Sequence, residues 1–142
     1  MIRRISHVGI VVENLDESLR MYEKLFGLRP RAIVDALGGK VKAAFVPIGE
    51  GEIELLQPID PSTMLMEFLR KQGSGIHHIS LATDNIEHEV DRMRKHGVVF
   101  DRERPTVGAH GMRIIFTSAQ STGGIPIELI EEPKNNRKDS HT

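Results

Sequence analysis

The sequence predicts an α+β fold. Two tandem β-α-β-β-β modules form one curved mixed sheet around a cavity, with the helices on the outside. Three observations predict it: the chain repeats itself, both halves show the same order of strand-like and helix-like patterns, and the repeat places one His and one Glu at matching positions in each half. Residues 5–24 align without a gap on residues 76–95, with Ile5/Ile76, His7/His78, Asn14/Asn85 and Lys24/Lys95 identical. Val8/Ile79, Ile10/Leu81, Glu13/Asp84 and Leu15/Ile86 are conservative pairs. Further on, Ile53-Glu54-Leu55-Leu56 recurs as Ile127-Glu128-Leu129-Ile130. Two matches in the same order at nearly the same spacing point to a duplicated module.

Each element follows from its local pattern. Residues 5–12 and 76–83 are β-rich runs that read as strands. Each leads into a helix with Asp or Asn near its start and apolar residues at helical spacing. These are Leu15, Leu19, Tyr22 and Phe26 in the first half, and Ile86, Val90 and Met93 in the second. Gly27 and Gly97 stand where a C-terminal cap belongs. Three shorter strands follow in each half, the last over residues 51–57 and 125–131. Between the halves, Asp60-Pro61-Ser62 predicts a helix start, with an N-cap and Pro at the first helical position, and Gly73 predicts its end. One domain thus spans residues 1–133: module one over 1–58, a linking helix over 60–73 and module two over 75–133. The polar stretch 134–142 reads as a disordered tail.

Composition limits the chemistry. At 142 residues the chain is long enough to bury a real core. Its 39% hydrophobic and 27% charged residues exclude a disordered chain. Nineteen Lys+Arg against 20 Asp+Glu leave a net charge of −1 and no electrostatic case for nucleic acid. The apolar run after Met1-Ile2-Arg3-Arg4 is too short for a signal segment, and no apolar stretch approaches the roughly 18 residues of a membrane helix. The expectation is a cytoplasmic protein with neither membrane nor nucleic acid as partner. With no cysteine, disulfides, thiolate catalysis, iron–sulfur clusters and Cys-bearing zinc sites are excluded. Any metal chemistry falls to His, Asp and Glu.

Strand alternation then shows where polar residues point. Val8, Ile10 and Val12 belong beneath the first helix, so His7, Gly9 and Val11 face away from it. In the repeat, Ile79 and Leu81 go under the helix while His78, Ser80 and Ala82 face away. The same reasoning puts Glu54 and Glu128 opposite their apolar neighbours. His7, Glu54, His78 and Glu128 therefore emerge on the helix-free face, beside the small residues Gly9, Ser80 and Ala82. Two imidazoles and two carboxylates make a mixed N/O site for a divalent ion such as Co²⁺, Mn²⁺, Ni²⁺, Fe²⁺ or Zn²⁺. The cavity is thus expected to contain a metal. Other features read as structural. His77 points to the face opposite His78, His88 and His96 lie on a polar helix surface, and His141 is in the tail. His110, in Gly108-Ala109-His110-Gly111, belongs to a flexible loop and reads first as solvated, with contact to a substrate as the alternative. Met64 and Met66 serve packing or an oligomer contact. Ser121-Thr122-Gly123-Gly124 is a turn, or a backbone cradle for an anion.

Paired β-α-β-β-β modules carrying His7, Glu54, His78 and Glu128 resemble the vicinal oxygen chelate (glyoxalase-like) superfamily. The likeness narrows to the methylmalonyl-CoA epimerase family through Ile5-Ser6-His7-Val8-Gly9-Ile10, Phe45-Val46-Pro47-Ile48-Gly49, Ile53-Glu54-Leu55-Leu56 and Asp60-Pro61. Gly75-Ile76-His77-His78-Ile79, Gly108-Ala109-His110-Gly111 and Ser121-Thr122-Gly123-Gly124 followed by Ile127-Glu128-Leu129 extend it over residues 3–132. Two departures stand out. Ser118-Ala119-Gln120 replaces a His-Pro-Lys-like run, and Lys42 stands where some members carry a second acidic catalytic residue.

The resemblance implies an isomerase that inverts C2 of methylmalonyl-CoA, removing the C2 proton to give a metal-stabilised enolate. Glu128 is the expected base, in a role shared with metal binding. The donor on the other face is Glu54 by symmetry, Lys42 by position, or a water. An acyl-CoA substrate and a homodimer follow from the same resemblance, with Lys40, Lys42, Arg102, Arg104 and Arg113 open as CoA contacts. Alternative readings are a glyoxalase I-like lyase, an oxygen-using dioxygenase and a non-catalytic drug-sequestering protein.

Overall fold

The computed structural model describes residues 1–134. Residues 135–142 of the expected tail, His141 among them, lie outside the described residues. The first half runs β1 (Ile2–Val11), α1 (Leu15–Phe26), β2 (Ala32–Ala36), β3 (Val41–Ile48) and β4 (Gly51–Pro58). After α2 (Met64–Gln72), the second half runs β5 (Gly75–Thr83), α3 (Ile86–Lys95), β6 (Thr106–Val107), β7 (Arg113–Phe116) and β8 (Ile127–Glu131). The order is β-α-β-β-β twice, as the internal repeat requires. All strands join one eight-stranded mixed sheet in the order β2-β3-β4-β1-β5-β8-β7-β6.

The two repeated strands, β1 and β5, lie side by side and antiparallel at the centre, with Gly9 opposite His78 and His7 opposite Ser80. Each takes its own half's last strand as a parallel neighbour. Gly9 is level with Glu54 on β4, and Ser80 is level with Glu128 on β8. Position nine and its repeat equivalent therefore have the same surroundings.

Helices α1 and α3 cover the outer face. Leu15 and Leu19 of α1 pack on Ala44, Val46 and Leu55, while Ile86 and Val90 of α3 pack on Ile115 and Leu129. Burying each such side chain is worth about 1.5–3 kcal/mol. Both helices start on an Asn: Asn14 accepts from the Glu17 amide at 3.0 Å and Asn85 from the His88 amide at 3.1 Å. The backbone of α1 ends on Gly27 at φ 67°, where its N–H reaches the Glu23 carbonyl. On the inner face Val41, Ala43, Phe45 and Leu56 form a third cluster, closed by Leu65 of α2. Among the described residues no helix is long and apolar enough to cross a membrane.

Local readings differ from the structure in two places. Helix α2 starts later than Asp60, because Thr63 caps it by accepting from the Met66 amide at 3.1 Å. Asp60 instead closes the preceding turn, accepting from the amide and hydroxyl of Ser62. Phe26, in the last turn of α1, is 61% exposed and packs edge-on against Tyr22, so the buried stripe of α1 ends one turn early.

Candidate active site

His7 and His78 project from the two central strands, which place their rings edge to face with Nε2 atoms 3.3 Å apart. The backbone makes room for this. A Cβ on Gly9 would stand 2.1 Å from His78 Cε1, so the imidazole occupies the space that any side chain at position nine would take. Glu54 arrives from β4 and brings Oε2 to 2.9 Å from His7 Nε2. Glu128 arrives from β8 and brings Oε1 to 3.2 Å from the same nitrogen. Ser80 fixes Glu128 by donating its hydroxyl to Oε1 at 2.7 Å. Each half supplies one imidazole and one carboxylate, and strand pairing makes them converge.

Ligand atoms of His7, Glu54 and His78 all lie within 4.8 Å of one another, a spacing that one metal ion can span. Glu128 borders this group through His7. All four side chains are buried. Among the described residues, neither Glu54 nor Glu128 has a Lys or Arg partner; their ion pairs are with histidine. Two buried carboxylates without a fixed cation carry a desolvation cost that a bound cation offsets.

Titration reflects the same shortage of positive charge. Burial works to lower the His7 pKa, but the hydrogen bonds it donates to Glu128 and Glu54 outweigh this and raise the imidazole to about 9. A proton on His7 thus stands in for a cation. Burial pushes His78 down to about 4, against the pull of Glu128 and Glu54, which leaves it neutral and ready to ligate. Burial also opposes ionisation of Glu128, yet His7 and Ser80 hold its pKa below the usual carboxylate value. A donor set of neutral imidazole and ionised carboxylate suits a divalent ion of intermediate softness.

Several residues occupy places that alternation and loop composition did not foresee. His110 is not solvated. Its side chain is 6% exposed, its ring stacks on His7 at 4.5 Å and lies against Phe45 at 4.3 Å. Its Nε2 meets Glu52 at 2.9 Å, and its Nδ1 is 3.9 Å from Glu54 Oε2. Arg31 holds Glu52 from behind with two hydrogen bonds of 2.9 Å. Glu52 precedes Glu54 by two strand positions, so alternation already puts both on one face. His77 does not turn away from His78. A register irregularity between Gly9 and Ile10 brings its Nδ1 to 2.9 Å from His78 Nδ1, with Phe68 of α2 against its ring.

Lys42 does not face the four candidate ligands. It is exposed and pairs with Gln57, whose side chain accepts from the Leu15 amide on the α1 side of the sheet. Residues 118–124 form a compact turn in which Thr117 and Thr122 share a 2.8 Å hydrogen bond. Met64 is 82% exposed and contributes nothing to the core.

Residues 6–116 match the family model of the glyoxalase/bleomycin resistance protein/dioxygenase superfamily. The chain is 35% identical to the mitochondrial methylmalonyl-CoA epimerase of Dictyostelium discoideum, over 92% of this chain and 80% of that protein. The crystal structure of methylmalonyl-CoA epimerase from Mycobacterium tuberculosis superposes with a TM-score of 0.87 at 28% identity, covering 93% of this chain and 89% of the other. A Streptomyces coelicolor methylmalonyl-CoA epimerase variant in complex with 2-nitronate-propionyl-CoA gives 0.88 at 26% identity, covering 93% and 96%. The duplicated fold, the paired His and Glu residues and these likenesses agree, and the chain belongs to the glyoxalase/bleomycin resistance protein/dioxygenase superfamily and, within it, to the methylmalonyl-CoA epimerases, a family of isomerases.

Proposed function

We propose that the protein epimerises methylmalonyl-CoA at C2, with His7, Glu54, His78 and Glu128 holding a divalent ion and Glu128 acting as base. The observation that carries this reading is the buried convergence of two imidazoles and two carboxylates without a Lys or Arg counter-charge. The relatives' own substrate and the acyl-CoA analogue bound to one of them support the choice of an acyl-CoA. A hydrogen at C2 is acidic because a thioester carbonyl and a carboxylate flank it. The bound ion, Co²⁺ by this reading, supplies Lewis acidity where negative charge grows on the thioester oxygen. Glu128, kept ionised by His7 and Ser80, takes the proton. A homodimer and a cytoplasmic location belong to the same reading.

The test follows the C2 hydrogen by NMR in D₂O, comparing Co²⁺-loaded protein with a chelated control. Metal-dependent exchange far above the spontaneous rate is expected; its absence from protein with Co²⁺ bound overturns the reading. Glu128→Gln is expected to slow turnover by about 10²-fold or more while the protein stays folded, as circular dichroism would show. Undiminished turnover in that variant removes Glu128 as the base.

A second reading rests on the His7, Glu54 and His78 group, a two-His-one-carboxylate set of the type that holds ferrous iron in oxygenases. Oxygen uptake by iron-loaded protein with a catechol favours it over the epimerase.

A further inference from the structure

Inversion at C2 requires a proton to leave one face of the substrate and another to arrive on the opposite face. Glu128 lies on the β8 side of His7, tied to Ser80 of β5. His110 comes from the loop between β6 and β7, yet it reaches across the sheet to the β3–β4 side, against Phe45, Glu52 and Glu54. The two groups therefore approach His7 from the β3–β4 side and the β8 side of the sheet. A tight turn presents the ring: the Gly108 amide meets the Met112 carbonyl at 2.9 Å, and the Gly111 amide meets the Gly108 carbonyl at 3.0 Å.

The imidazole is also oriented. Its outer nitrogen, Nε2, is fixed by Glu52, and Glu52 is clamped by the two Arg31 hydrogen bonds. Arg31 in turn lies 4.7 Å over the Phe45 ring that His110 packs against. The inner nitrogen, Nδ1, faces the ligand cluster, with Glu54 at 3.9 Å as its nearest acidic group. A carboxylate behind one ring nitrogen that leaves the other free toward the reacting centre is the arrangement of an oriented proton-transfer histidine. Lys42, the alternative by position in the sequence, is on the wrong side of the sheet.

The geometry points to His110 as the second proton-transfer group of the epimerisation, acting on the face opposite Glu128, with Glu52 and Arg31 as positioning residues; this rests on the epimerase reading above. In one direction the C2–H bond breaks, its proton goes to the Glu128 carboxylate and its electron pair stays in the enolate. The His110 Nδ1–H bond then breaks, and its proton forms the new C2–H bond on the other face. The reverse direction exchanges the two roles, and both groups return to their starting states through solvent.

The test uses the full Co²⁺-loaded chain with each pure epimer of methylmalonyl-CoA in D₂O, scoring inversion and deuterium uptake separately. Wild type inverts and exchanges both epimers. His110→Asn is expected to slow inversion about 10²-fold or more in both directions. The epimer that presents its hydrogen to Glu128 still exchanges and keeps its configuration. Co²⁺ affinity and the Co²⁺ absorption spectrum stay as in wild type. Glu52→Gln is expected to show the same one-sided pattern more weakly. Inversion by His110→Asn at the wild-type rate overturns the proposal. So does an equal loss of exchange from both epimers, which makes His110 a packing residue on His7. Wild-type protein that binds Co²⁺ but neither exchanges nor inverts either epimer overturns the epimerase reading, and the proposal with it.

Discussion

A methyl group on Gly9 would stand 2.1 Å from His78 Cε1, closer than any two such atoms can remain. The obstacle is the movable end of a side chain, so Gly9→Ala keeps the fold and turns the imidazole out of place. Co²⁺ affinity, measured by calorimetry, is expected to fall about 10–100-fold, the range typical of lost ligand orientation. Unchanged affinity would mean that His78 is not a ligand. His7 sets a pH dependence. In the metal-free protein its pKa is about 9 against 6.5 for the free side chain, so its proton contributes stability that is full below pH 6.5 and lost as the pH rises through 9. His78 has the opposite sign: with its pKa near 4, stability falls as the pH drops from 6.5 toward 4. Thermal melts of metal-free protein are expected to peak near pH 6.5. Saturating Co²⁺ should abolish the alkaline decline, because the ion takes the proton's place on His7. A decline that persists with the ion bound assigns the alkaline loss to other groups.

Among the elements, α1 and α3 stabilise the sheet from its outer face, away from the site. Asn14 caps α1 on the outer face, and Asn14→Ala is expected to cost about 1 kcal/mol in urea unfolding while metal affinity stays unchanged. Leu55 belongs to the same outer cluster but lies on β4, one residue after Glu54. Leu55→Ala is expected to cost about 2–5 kcal/mol and to weaken metal binding as well, because the cavity it leaves lies directly beneath a ligand strand. Equal metal affinity in the two variants would show that β4 holds Glu54 independently of its packing. The loop after β6 behaves differently from the helices. Its residues Gly108-Ala109-His110-Gly111 carry little hydrophobic signal, and its place is fixed by contacts that His110 makes with module one.

At the scale of the whole molecule, each half contributes one imidazole and one carboxylate, so a metal ion bound there links both halves. Because the ion binds the folded state alone, Co²⁺ at about 100 times its dissociation constant is expected to add roughly 2.7 kcal/mol to the unfolding free energy. Chelation should remove that increment and leave the secondary structure intact; no shift of the melting temperature with Co²⁺ would exclude a site between the halves. Much of this architecture was legible in the sequence. Alternation along a strand is a local property with a period of two, so His7, Glu54, His78 and Glu128 could be assigned to one face from their neighbours alone. The internal repeat then implied that both pairs meet, since equivalent strands take equivalent places. What needed the tertiary structure was whatever depends on pairing between distant segments. His110 and Glu52 are 58 residues apart, and nothing local to either signals the other. The irregularity that turns His77 toward His78 exists only where β5 is registered against β1. Lys42 required the pairing of β3 with β4 before its face was known, and Thr63 displaced Asp60 as the cap of α2 because its hydroxyl, not the earlier carboxylate, reaches the Met66 amide in the first turn. The sequence by itself determined the duplicated fold and the four residues at its centre, because local periodicity encodes both. Only the tertiary structure decided what surrounds that centre, because contacts between distant strands and loops leave no periodic trace in the chain.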